Sequence, residues 1–81
     1  MNKLHRLLNL PARLTVWRIP SGEICVEYEN CEISDGGGGL ISDFGRGWTF
    51  DEAVDSYFAK ISGKTLVFNA CTDRREEVRV L

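Results

Sequence analysis

One histidine, three cysteines and twelve carboxylates are the side chains here that can do chemistry. His5 lies between leucines and far along the chain from Cys25, Cys31 and Cys71, and no Ser/His/Asp or Cys/His spacing pairs a nucleophile with a base. Cys25 and Cys31 are six residues apart, outside the two-to-four-residue gap of a zinc knuckle. Their neighbours are mostly glutamates, which keep a thiol protonated and unreactive. An odd cysteine count with no secretory signal predicts reduced thiols in a cytoplasm. Asp51 and Asp55 stand one helical turn apart, a spacing that a solvated face with helix-dipole partners already explains. These residues predict no enzyme, no metal and no cofactor.

Binding is better served. Gly45-Arg46-Gly47-Trp48 precedes a helix start, so its backbone amides, guanidinium and indole form a candidate nucleotide or RNA site over the Gly45–Thr49 turn. Thr49 and Glu52 compete for the same amides, and Asp51 repels an anion. The competing account is that both glycines satisfy turn dihedrals while Trp48 packs as a hydrophobic staple. Trp17 with Arg18, and Arg74 with Arg75, are further candidates, which an RNA site needs on one face.

Charge is sorted along the chain although the net value is only −2. Residues 1–18 carry Lys3, Arg6, Arg13 and Arg18 and no acid, while residues 19–45 carry Glu23, Glu27, Glu29, Glu32, Asp35 and Asp43 and no base. One expectation is that the basic arm lies near the acidic hairpin, in the same fold or in a neighbouring subunit. The other is an acidic face, Glu23, Glu27, Glu29, Glu32 and Asp35, offered to a basic partner protein. Duplex binding is disfavoured, because it needs clustered lysine and arginine.

The elements that must position these groups follow from spacing. Asn2 with Leu4, Leu7 and Leu8 predicts a short helical segment stopped by Pro11, too short to hold itself together in water. Thr15–Ile19 alternates as a strand, Pro20–Glu23 reads as a turn, and Ile24–Ser34 reads as a second strand. Apolar parity in that run changes after Asn30, as a β-bulge near Glu29–Asn30 would make it. Asp35–Gly39 predicts a hairpin tip, whose Gly36–Gly39 run lacks the Lys-Ser/Thr and the following helix of a phosphate loop. Leu40–Phe44 reads as a third short strand.

Thr49-Phe50-Asp51-Glu52 is a capping box, and Phe50, Ala53, Val54, Tyr57, Phe58 and Ile61 form one apolar stripe behind it. Gly63 predicts the helix end, and residues 64–71 and 76–81 read as a closing hairpin. The expected architecture is α+β, a two-layer domain. One amphipathic helix packs on an antiparallel sheet made of a three-strand meander and a C-terminal hairpin. Residues 1–12 form a helical arm and 13–81 the core. No stretch approaches the roughly 20 apolar residues of a membrane span. Exposed leucines in the arm and a free sheet edge predict a homodimer.

The string Gly45-Arg46-Gly47-Trp48-Thr49-Phe50-Asp51-Glu52-Ala53, coming after the meander, resembles the partial-RNase-H-like domain of HicB-type antitoxins over residues 15–62. Such antitoxins usually add a helical or ribbon DNA-binding segment, where this chain ends in a hairpin. Residues 45–70 also look like small proteins of bacteriophages and prophages. That resemblance implies a short cytoplasmic accessory protein that binds and inhibits a host protein, such as one of a defence system, and it supplies no catalytic residue.

Overall fold

In a computed structural model that describes residues 3–10 and 12–80, Leu14–Arg18 forms β1 and pairs antiparallel with β2 (Ile24–Tyr28), Val16 opposite Val26. Asn2, Pro11 and Leu81 lie outside the described residues, and with them the expected helix start, its proline stop and the last strand residue. The Pro20–Glu23 turn closes with Gly22 N–H donating to the Ile19 carbonyl at 2.9 Å.

The parity change after Asn30 marks a corner rather than a bulge. Asn30 has φ of 53°, in the left-handed region that asparagine tolerates better than most residues. β3 (Cys31–Ser34) therefore leaves the first sheet and finds its own partners, β4 (Leu40–Ile41) and β6 (Thr65–Phe68). The run read as one strand over Ile24–Ser34 is two strands in two sheets.

The chain returns to the first sheet as β5 (Gly45–Gly47), with Gly45 opposite Val26 and Gly47 opposite Ile24. The expected third strand over Leu40–Phe44 is thus only two residues long, and the expected turn is a strand. The physical reason is the helix α2 (Phe50–Ile61), which lies directly on β5. A Cβ at Gly45 would collide with the Ala53 carbonyl and the Tyr57 backbone, and one at Gly47 with Glu52. These glycines allow close approach and do not serve turn dihedrals.

The α+β class holds, with its strands shared between two antiparallel sheets, β1-β2-β5 and β4-β3-β6-β7, where β7 is Glu76–Arg79. The three-strand meander expected from the sequence is divided between them. α2 is capped as its sequence dictates. Glu52 N–H donates to Thr49 Oγ1 at 3.1 Å, and the Glu52 carboxylate accepts from the Trp48 and Thr49 amides at 2.8 and 3.3 Å. Gly63, with φ of 75°, follows its end.

Ala53, Val54, Tyr57, Phe58 and Ile61 are buried with Val26, Tyr28, Ile33, Leu66 and Phe68 in one core. Each fully buried aliphatic side chain contributes roughly 1.5–3 kcal/mol. α1 (Lys3–Leu8) docks on this core. Leu7 is 1% exposed, Tyr28 Oη donates to its carbonyl at 2.6 Å, and Lys3 pairs with Asp55 at 3.4 Å. Packing supplies the stability that six helical residues lack alone. Leu8 stays exposed.

Candidate functional site

The corner at Asn30 creates the site. Glu27 and Glu32 are five residues apart and would face opposite sides of one regular strand. The turn through Asn30 instead sets both on a cleft of about 580 Å³ at the seam of the two sheets, with Glu29 beside them. Thr15, Ser42 and the turn residues Asn69, Ala70, Cys71 and Thr72 complete the lining. Asn69, also at positive φ (54°), donates its N–H to the Asn30 carbonyl at 2.9 Å and ties the two corners together.

The cleft is electrostatically one-sided. Among the described residues, ion pairs join Lys3 to Asp55, Arg46 to Glu23, Lys60 to Asp43 and Arg75 to Glu77, and none reaches Glu27, Glu29 or Glu32. The basic segment divides. Lys3 and Arg6 pack on α2, with Arg6 4.7 Å over the Phe58 ring, while Arg13 and Arg18 stand at the two ends of β1, which pairs with β2 and so lies along the acidic segment as one expectation had it. Burial and then the charge of Asp43 push the Glu27 carboxyl above its ordinary value. Burial opposes the shift at Asp43, but the Phe44 amide and the Lys60 ammonium hold it below its ordinary value. Cys31, under the cleft, is pushed up to about 11 by burial, with the Glu27 and Glu32 charges acting in the same direction. That thiol stays protonated at neutral pH.

Of the five residues expected to form an acidic face, three meet here. Glu23 sits at the β1–β2 hairpin tip, 3.8 Å from Arg46 Nε. Asp35 is engaged in the glycine tip, where its Oδ1 accepts from the Gly37 and Gly39 amides at 2.8 and 2.9 Å.

The aromatic and basic candidates do not share one surface. Arg18, Arg46 and Trp48 gather around the β1–β2 tip. Arg18 Nη1 donates to the Gly22 carbonyl at 2.9 Å, and the Trp48 ring lies against Gly22. Trp48 is 65% exposed and is therefore no packed staple. Trp17 and Arg46 flank Cys25 on the outer face of the first sheet, where Trp17 packs on Phe44 with ring centres 5.8 Å apart. Arg74 and Arg75 lie in the β6–β7 turn, whose Thr72 lines the cleft together with Thr15 from the other end of β1.

The amides proposed for an anion are taken. Arg46 N–H donates to Ser56 Oγ at 3.2 Å, while those of Trp48 and Thr49 go to Glu52. His5 is exposed on α1, Asp51 is exposed on α2, and Asp55 pairs with Lys3. Among the described residues no three His, Cys, Asp or Glu side chains converge to hold a metal ion. None of the described helices is long and apolar enough to cross a membrane.

The part of the cleft formed by Thr15, Ser42 and residues 69–72 is not apparent from spacing alone. The two asparagines at positive φ are the signal for it, since asparagine inside an otherwise β-rich run marks a left-handed corner. Compared with known proteins, the chain matches no family model, no curated protein and no solved structure.

Proposed function

We propose that this protein is a non-catalytic binding module, a phage-type accessory protein that occupies a basic surface of a host protein in the cytoplasm and inhibits it. The observation that carries this reading is the cleft lined by Glu27, Glu29 and Glu32, with no described cation paired to them. Uncompensated carboxylates in a concave, partly desolvated surface focus negative potential. They favour a lysine- or arginine-bearing segment and speed its encounter. The likeness of residues 45–70 to small phage proteins suggests the host side of the proposal, including a role against host defence.

A tagged protein is passed through bacterial lysate beside a Glu29→Lys/Glu32→Lys variant. The expected result is a stoichiometric protein partner that the variant fails to retain and that elutes as salt rises. Retention of the same partner by the variant, or quenching of Trp17 and Trp48 by oligonucleotides or nucleotides with no protein recovered, would replace this reading with another.

A further inference from the structure

The two sheets have four edges, and three are blunted. β4 is two residues long. On β5, the outward amide of Arg46 is held by Ser56 Oγ at 3.2 Å. β7 presents its outward backbone at Glu77 and Arg79, charged residues of the kind that discourage strand addition.

β1 differs. Its bonds to β2 continue the ladder seen at Ile19 N–H to Glu23 O (3.0 Å) and Glu29 N–H to Arg13 O (2.9 Å), so Thr15 and Trp17 face β2. The N–H and C=O groups of Leu14, Val16 and Arg18 point away from the sheet, and no bond among the described residues meets them. α2 covers β2 and β5, and Val16 is left 50% exposed.

We propose that a second copy of this chain fills this edge, with β1 antiparallel to the partner's β1 about a two-fold axis through Val16. The register uses every free group. Val16 exchanges both hydrogen bonds with the partner's Val16, and Leu14 does the same with the partner's Arg18. Those same residues are the ones whose backbone faces outward. No like charges oppose each other, since the arginine stem lies along the partner's Leu14, and Thr15 meets the partner's Trp17 on the other face. The product is a six-stranded sheet in order β5-β2-β1-β1-β2-β5, with an isologous interface. It also stands the partner's Trp17 beside Thr15, at the rim of the acidic cleft. The dimer does not depend on what the cleft binds.

Sedimentation and light scattering test it. The wild-type chain is expected at twice 9.1 kDa at high concentration. Val16→Lys, which places two ammonium groups together on the axis, is expected at 9.1 kDa with an unchanged circular dichroism spectrum. A Val16→Cys/Cys71→Ser variant oxidised with glutathione disulfide is expected to form a covalent dimer, because bonded antiparallel partners stand about 5.5 Å apart at Cα. A wild-type monomer at all concentrations, a Val16→Lys dimer, or no cross-link in the cysteine variant overturns the proposal.

Discussion

At the scale of residues, Glu27 is a cleft charge held at a cost to stability. Its carboxyl pKa is raised above the ordinary 4.5 by burial and by Asp43. A raised carboxyl pKa favours the protonated fold, so its stabilising contribution is present below that value and is lost as pH rises through it. At neutral pH the ionised group works against folding. Glu27→Gln is therefore expected to raise stability in urea unfolding at neutral pH, with the gain shrinking as pH falls through the raised carboxyl pKa and gone below the ordinary 4.5. The same variant should bind a lysine-rich peptide more weakly. A gain that is independent of pH would assign the effect to packing and not to charge. Tyr57 has a different duty. Its Oη accepts the buried Tyr28 N–H at 3.1 Å, just where β5 has ended and can no longer do so. Tyr57→Phe leaves that amide unpaired and should cost about 1–3 kcal/mol in the same measurement.

Among elements, α2 and β5 are one unit because two residues without side chains lie beneath the helix. Gly45→Ala forces a methyl into the Ala53 carbonyl and Tyr57 backbone, whereas at Gly37 the same methyl meets only Asp35 Oδ1 at 3.6 Å, an ordinary van der Waals contact. Gly45→Ala should lose about 1–3 kcal/mol or more, and Gly37→Ala much less. Equal losses on chemical denaturation would mean that the helix can lift from the strand freely. The cap contributes separately. Thr49→Ala removes the acceptor for the Glu52 amide and is expected to cost about 1 kcal/mol. α1 adds the opposite lesson, since six residues with poor prospects alone are ordered by burying Leu7 and accepting from Tyr28.

Over the whole molecule, the two sheets decide which thiols are accessible. Cys25 and Cys31 are buried and Cys71 is exposed on the cleft wall. Native protein is expected to react with a thiol reagent at Cys71 alone, read by intact mass, and at all three cysteines once unfolded. A lysine-rich peptide seated between the glutamates should slow the Cys71 reaction. Rapid native labelling of Cys25 would contradict the packing of Trp17 and Phe44 over that face. The short edges and the open β1 belong to this scale too, because an edge exists only once the sheets are assembled.

Spacing alone determined the features that depend on neighbours a few residues away. These are the capping box and stripe of α2, the alternation of β1, the sorting of charge, and the break in parity at Asn30. Tertiary structure decided what that break means, because a bulge and a corner share one sequence pattern and differ only in which strand lies alongside. It also decided that Gly45 and Gly47 make room for a helix, that Trp48 stays in solvent, and that three of five acids meet. Each of these depends on how whole elements pack against one another, which is selected by closure of the core and not by local backbone preference.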